Sequence, residues 1–465
     1  MSAIESTPHT ASGLRTGDTT QDAVDLVVVG AGAAGLATAI FAARAAPELR
    51  VVCLDAARHI GAKILVSGGS RCNVTNRRVT ERDFWGGPSR VVRHVLRAFP
   101  AERAAGFFTE LGVPLHEEED GKLFPDTNRS RTVLDALLRE VRRLGVELRS
   151  LERVTGVDLG ADGFVVVTAR GRYRARSVVL ATGGRSLPKS GSDGAGYGLA
   201  QRLGHGCIGT TPALAPLVLA GGRHRPLSGV AHDVRLTVRA DGGPSARFDG
   251  AMLWTHFGAS GPVVLNASRH WHRARLDGRA VDVVVNLFPG ETFESLEAWL
   301  REQALARPRA HVATVLTTRL PAAVATMWTR EAGLAEQPLA HLTRESRRHL
   351  VRALLSSPLD VRDSRGYAVA EATAGGIPLD EIDPSRMASR RCDGLYLVGE
   401  MLDVDGRLGG FNFQWAWSSA WVAGTAIARA LTGASPRTRL DVSRGGAGES
   451  RAGDAGVTGR SAATE

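Results

Sequence analysis

The sequence predicts an α/β fold: a β-α-β domain with a β-meander, interrupted by an inserted small β-barrel and a small helical bundle. Three observations carry this prediction. An apolar strand runs into a glycine-rich turn and an Ala-rich segment at Asp25–Ile40, and a second strand, RVVCLD, follows at 50–55. Three β-rich stretches, RVTGVDL, GFVVVTAR and SVVLATGG, succeed one another between 153 and 184, separated by Gly/Asp turns. That is the pattern of an antiparallel meander. Between Glu291 and Ser357 glycine almost vanishes and Leu, Ala and Arg recur at helical spacing, the mark of a helical module.

The remaining elements follow in order. From Pro212 to Pro289 strands alternate with Gly/Pro breaks, the composition of a small barrel or sandwich. After Tyr367 strand character returns, ending in GLYLVGE (394–400) and a last long helix to about Leu431. The expected layout is a lead-in at 1–22 and the first part of the α/β domain at 23–211. Then come a barrel from 212–289 and 359–378, a helical module at 290–358, the second part of the α/β domain at 379–434, and a tail at 435–465. Both ends are rich in Gly, Ser or Thr and are expected to be disordered. Residues 1–22 lack the apolar core of a signal peptide.

Composition narrows the function. A chain of 465 residues with 43% hydrophobic and 23% charged residues has room for two or three globular domains. The four cysteines (Cys53, Cys72, Cys207, Cys392) stand far apart without C-x-x-C or Cys/His ligand spacing. No disulfide scaffold, redox dithiol or metal site is expected, and a reducing cytoplasm suits the chain. Leu26–Ala43 is an uncharged run of 18 residues, long enough to suggest a membrane span, but its three glycines make it strand–turn–helix. The net charge is +10, carried by 55 arginines and only three lysines. Arginine is scattered rather than clustered, so contact with nucleic acid is the weaker expectation.

DLVVVGAGAAGLATAI holds Gly30, Gly32 and Gly35 as a G-x-G-x-x-G between strand and helix. In a Rossmann-like unit Gly30 makes the tight turn, Gly32 admits a pyrophosphate, and Gly35 lets helix and strand pack. The helix N-terminus offers free N–H groups to the phosphates. Asp55, ending the second strand, is placed to grip an adenosine ribose. The late strands VVLATGG and GLYLVGE favour an extended FAD over a simple nicotinamide unit. Glu400 and Asp403 would accept from ribitol hydroxyls, and Gly406, Gly409 and Gly410 would bring backbone to the ring before a helix starting near Asn412. That helix N-terminus would stabilise negative charge on a reduced flavin.

GAGAAG (30–35), GAKILVSGGSRCNVTN (61–76), ATGG with GSDGAGY (191–197), THFGASGP (255–262), TAGGI (373–377) and GEMLDVDGRLGGFNFQWA (399–416) occur in this order. The set resembles the flavoprotein family of aminoacetone oxidase and a 3-dehydro-bile-acid reductase, over residues 24 to 430. The resemblance implies a noncovalent FAD in a glutathione-reductase-type domain, with a barrel and helical bundle inserted. Two departures stand out: Ser70 where the family has glycine, and Phe411 and Phe413 where it has Tyr and Leu. Motif and resemblance together assign cofactor contacts to Gly30, Gly32, Ala33, Ala34, Gly35, Asp55, Lys63, Gly69, Ser70, Arg71, Asn73, Val154, Thr182 and Gly183. At the C-terminal end they add Gly399, Glu400, Asp403, Gly410, Asn412, Phe413 and Gln414. Lys63 draws notice because this chain otherwise chooses arginine; a compact ammonium suits a phosphate or the flavin. Cys72 reads as a small buried residue, since no histidine adjoins it. The Lys63 loop and Gly410 lie about 345 residues apart, and a shared ligand is what is expected to unite them.

A flavin performs the electron chemistry, so the protein needs chiefly a proton donor or acceptor. His256, in WTHFGASGP, is the candidate; the competing reading is a hydrogen-bonded structural histidine. No second G-x-G-x-x-G follows a strand, so NADPH or NADH, as transient donor, would have to enter the substrate cleft. The expected activity is an NAD(P)H-linked reductase of an activated C=C or C=O in a small organic substrate. The alternatives are an O₂-using oxidase of a small amine such as aminoacetone and an RNA-associated flavoprotein. Oligomeric state is left open.

Overall fold

The computed structural model describes residues 23–433; the two expected disordered tails lie outside them. The central element is a nine-stranded sheet. Its parallel heart consists of β1 (Val24–Val29), β2 (Val51–Leu54), β3 (Gly171–Leu180) and β4 (Leu395–Leu397), in the order β4-β3-β1-β2. Leu26 stands opposite Ser177 on one side and Val51 on the other. Strands buried on both faces read as continuous Val/Leu runs, as VDLVVV and VVCL do. Glu147–Arg149 extends one edge beside β2, and the hairpin Ile382–Asp383/Ala388–Ser389 extends the other.

The meander is present: Val154–Gly160 pairs with Gly163–Thr168, which pairs with β3, all antiparallel. The uncharged run 26–43 is β1, a turn and helix α1 (Ala33–Ala45). Among the described residues no helix is long and apolar enough to cross a membrane. Helix α2 (Phe411–Thr432) lies against α1. A Cβ on Gly424 would stand 2.8 Å from the Thr38 carbonyl oxygen, so this glycine sets how close the two helices come.

Seven antiparallel strands form the second sheet, in the order Ser357–Leu359, Val281–Asn286, Ala231–Ala240, Ala246–Thr255, Gly258–Ser260, Leu217–Leu219, Val361–Ser364. Its two edge strands are consecutive in sequence, one on either side of Asp360. The sheet therefore curls round until one stretch of chain serves both edges, with Ala220 N–H donating to the Asp360 carbonyl at 2.9 Å. Edges closed in this way offer no template for aggregation. Helices at Phe293–Ala306, Val312–Leu316, Ala322–Glu331 and Arg344–Leu355 share the sheet's hydrophobic core, with Trp254 and Trp328 in contact at 5.9 Å. Ala372–Gly376 does not join this sheet. It pairs instead with Ile208–Ala213 in a two-stranded ribbon whose buried residues form a small cluster of their own.

Candidate functional site

A cavity of about 670 Å³ opens at the carboxyl ends of the parallel strands, with Val29, Leu54, Ala181 and Val398 among its lining residues. Ligands of open α/β sheets bind there because helix N-termini and strand-end loops converge. Gly30 sits at φ +98°, and a Cβ would lie 2.6 Å from the Ala181 carbonyl oxygen. Gly35 allows even less, since a Cβ would lie 1.9 Å from the Gly30 oxygen; it serves packing and does not line the cavity. Gly32 is different. It lines the cavity, and a Cβ on it would meet no protein atom within 4 Å. The space in front of α1 is therefore reserved for something outside the chain. No side chain caps α1, nor does one cap α2 at Gly410, so both helix starts keep donors for a ligand.

Asp55 lines the cavity at the end of β2. Its carboxylate accepts from Ala31 N–H and Ala57 N–H, both at 2.7 Å. Burial raises its pKa, and these two backbone donors oppose the rise. Val154 lies near this end with Arg153 and Asp193, which pair at 2.7 Å. Two cavity-lining hydroxyls, Thr182 Oγ1 and Ser192 Oγ, are buried without a hydrogen-bond partner. A buried unpaired hydroxyl costs about 1–3 kcal/mol, and a polar ligand would remove that cost. Gly183 lines the same wall.

Further along, Lys63 donates to Glu400 and to Ser186 Oγ, and Ser186 donates to the other Glu400 oxygen at 2.8 Å. The ammonium is thus held by a carboxylate 337 residues away, beside the cavity that both residues line. The turn after Lys63 is left-handed at three successive residues, Gly68, Gly69 and Ser70 (φ 53°, 66° and 67°). Gly69 faces open space in the cavity. Ser70 is exposed and outside it, so the departure from glycine adds backbone strain rather than a side chain in the cavity. Arg71 pairs with Glu118 at 2.6 Å and covers the Phe124 ring at 4.1 Å, forming part of the wall.

Protein contacts alone join this segment to the C-terminal one. With its amide oriented to match its neighbours, Asn73 accepts from Gly410 N–H at 3.1 Å. Thr75 Oγ1 donates to Gln414 at 2.6 Å, and Trp417 Nε1 donates to the Val74 carbonyl at 2.9 Å. No shared ligand is needed to bring them together. A Cβ on Gly410, at φ +89°, would lie 2.6 Å from the Thr75 carbonyl, so this glycine first serves the chain's own packing.

Ala33, Ala34, Lys63, Gly69, Arg71, Asn73, Asn412 and Phe413 all line the cavity with the residues above. Gly406 does not, packing instead against Phe84 and Phe411, and neither do five others expected there, besides Gly35. Gln414 is fully buried and donates to the Phe99 carbonyl at 2.8 Å. Gly399 packs against Ala34 and Trp415. Asp403 is buried, which raises its pKa, and faces Arg273 and Arg269. Ser70 is the fourth. The fifth, His256, is exposed at the turn before Gly258–Ser260, against Phe257, and reaches no part of the cavity. Sequence reasoning missed Leu214, Val369, Glu371 and Leu408, which wall the cavity where the ribbon ends.

The HI0933-like protein Rossmann domain model matches residues 24–426. The chain belongs to this HI0933-like family. Its Rossmann-like domain is thus an FAD-binding one, and the chain is a flavoprotein oxidoreductase. Relatives align over nearly their whole lengths. A 3-dehydro-bile acid delta(4,6)-reductase of Clostridium scindens is 32% identical over 86% of this chain and 98% of its own. A ribosomal RNA dihydrouridine synthase of Escherichia coli is 32% identical over 85% and 96%. Its namesake from Haemophilus influenzae is 30% identical over 87% and 98%. In this HI0933-like chain the open Gly32, the uncapped helix starts and the unpaired hydroxyls fit an extended dinucleotide.

Proposed function

We propose that this protein is an FAD-dependent reductase of a carbon–carbon double bond conjugated to a carbonyl, acting on a small organic substrate. The observation that carries the reading is the wall of the cavity at the ribbon end. There the lining is apolar, with Leu214, Val369 and Leu408, and the carboxyl of Glu371 adjoins it. A flat apolar enone suits such a wall, and pockets of this kind fix orientation with few polar groups. The names of the relatives agree, since a delta(4,6)-reductase and a dihydrouridine synthase both saturate C=C bonds conjugated to a carbonyl.

Bound FAD would supply the hydride. The chain's own residues would do the rest: α1 and Gly32 receive the pyrophosphate, Asp55 holds the ribose, and Lys63 with Glu400 orders the ribitol region. The start of α2 would stabilise negative charge on the reduced ring. Among the described residues only one strand–G-x-G-x-x-G–helix unit occurs, so NADPH or NADH would reduce the flavin from within the same cavity.

A uridine in RNA is the second reading of the substrate, favoured by where the charge lies. Residues 1–22 hold one basic and three acidic residues, and 434–465 hold five and four. The basic excess therefore belongs to the folded residues rather than to the tail. Anaerobic mixing with NADPH and NADH, followed by 2-cyclohexenone or a uridine-containing oligoribonucleotide, tests both. Bleaching and then recovery of the flavin band is expected. No recovery with either probe, together with peroxide release from aminoacetone in air, would replace the reductase reading with an oxidase. RNA binding that ignores salt would dismiss the second reading.

A further inference from the structure

We propose that Glu371 is the proton donor of this reaction, delivering a proton to the carbon α to the carbonyl; the role rests on the reductase reading above. Five carboxyl groups line the cavity: Asp55, Glu152, Asp193, Glu371 and Glu400. Four are committed. Asp55 takes two backbone N–H groups, Glu152 takes the Thr168 hydroxyl at 2.7 Å, Asp193 pairs with Arg153, and Glu400 holds Lys63 and Ser186. The Glu371 carboxyl has no hydrogen-bond partner among the described residues; its one electrostatic neighbour is Lys63.

Its position is nevertheless fixed. Glu371 precedes the buried ribbon strand Ala372–Gly376 and donates its N–H to the Leu214 carbonyl at 3.2 Å. Two residues on, Thr373 Oγ1 accepts from Arg185 N–H and Ser186 N–H at 2.8 and 3.1 Å. The backbone is pinned on both sides while the side chain stands exposed to the cavity. The walls around it are close enough that desolvation pushes the carboxyl pKa up, against the pull of Lys63. Such a group keeps its proton to higher pH than a surface glutamate. Competing donors are scarce, since no histidine, tyrosine or cysteine lines the cavity among the described residues.

Saturating the conjugated bond requires a hydride at the β carbon and a proton at the α carbon. A bound reduced flavin would supply the hydride with both electrons. Glu371 breaks its O–H bond as the α C–H bond forms, and water restores the proton to the carboxylate.

The test uses wild type, Glu371→Gln and Glu371→Asp. Infrared pH titration of the apoproteins should show, in wild type, a protonated-carboxyl band that persists to higher pH than those of surface carboxyls and that Glu371→Gln lacks. As holoproteins, all three should be yellow with equal FAD content and bleach equally with NAD(P)H or dithionite. Reoxidation of the reduced holoprotein by 2-cyclohexenone should slow about 10²-fold or more in Glu371→Gln, the usual worth of a positioned acid. Glu371→Asp should recover part of the rate with a shifted pH profile. Loss of FAD from Glu371→Gln would make Glu371 a cofactor ligand and overturn the proposal. So would reoxidation at the wild-type rate, or a Glu371 carboxyl that ionises together with the surface carboxyls. Wild-type protein that no conjugated ketone reoxidises, with the infrared band present, would instead overturn the reductase reading.

Discussion

Gly32→Ala separates cofactor binding from folding more cleanly than any other change in the glycine motif. Gly32 has φ −80° and ψ −164°, extended backbone open to any residue, and its Cβ would meet no protein atom within 4 Å. The apoprotein should therefore lose nothing. By trimming the freedom of the unfolded chain, the alanine should add about 0.4–1 kcal/mol of stability. The methyl group would then occupy the space in front of the first turn of α1, between its N–H donors and a pyrophosphate. Losing one charge-assisted hydrogen bond costs about 1.5–3 kcal/mol, or roughly 10- to 150-fold in the FAD dissociation constant. Gly35→Ala is the control, because its Cβ would stand 1.9 Å from the Gly30 oxygen and must disturb the fold itself. Thermal denaturation of both apoproteins and FAD titration by fluorescence quenching read the two effects separately. Gly32→Ala protein that binds FAD like wild type would refute the placement of the pyrophosphate.

Ser70→Gly should stabilise the apoprotein by about 0.5–1 kcal/mol in denaturant titration, since φ +67° costs a side-chain-bearing residue roughly 1–2 kcal/mol and glycine returns part of that as entropy. Arg269→Ala removes the fork on Asp405 (2.6 and 2.9 Å) and leaves a fully buried carboxylate alone, at about 3–5 kcal/mol. Burial already raises the Asp405 pKa, with Arg269 opposing. The folded state therefore holds the proton longer than the unfolded one, and stability falls as pH rises between the two pKa values. Melting curves of Arg269→Ala should accordingly worsen as pH rises above the ordinary aspartate range. Lys63→Ala should weaken FAD binding yet still turn yellow at high FAD. Lys63→Arg should restore it incompletely, because the site between Glu400 and Ser186 is shaped for a point charge. Gly410→Val should melt early as apoprotein, its Cβ falling 2.6 Å from the Thr75 carbonyl at φ +89°. A normal melt would show that this contact yields easily.

The glycine-rich part of the candidate site was legible in sequence because backbone geometry makes it. Gly30 and Gly35 are glycines for reasons of atomic distance, and Asp55 follows at the end of an apolar strand where the fold puts it. Composition exposed Lys63, since a chain with 55 arginines and three lysines kept an ammonium where a carboxylate and a hydroxyl enclose it. Other residues of the same motifs were misplaced for a common reason. Gln414, Asp403 and Gly399 neighbour cavity residues in sequence, yet helical or extended geometry turns them into protein contacts instead. His256 misled because a histidine in a Gly/Ser turn looks chemical, whereas the barrel carries that turn away from the cavity.

The proposed substrate end was invisible for the opposite reason. Leu214, Val369, Glu371 and Leu408 are common residues at ordinary strand and loop ends, and no spacing links them. They meet because the ribbon Ile208–Ala213/Ala372–Gly376 carries the chain into the insert and back. The insert is then clamped in register: Asn266 accepts from Leu408 N–H at 2.8 Å, Ser268 Oγ accepts from Ala215 N–H at 3.0 Å, and Arg269 forks onto Asp405. These three residues lie on one helix, Pro262–Leu276, one turn or less apart. That helix therefore fixes Leu408 and the ribbon end together, and Glu371 follows through its bond to Leu214. Side chains alone distinguish this end of the cavity, so the substrate can change without touching a single glycine of the cofactor motifs. Relatives whose names describe a bile-acid reductase and a ribosomal RNA enzyme are then compatible with one cofactor site, and the ribbon end is where their differences should be sought.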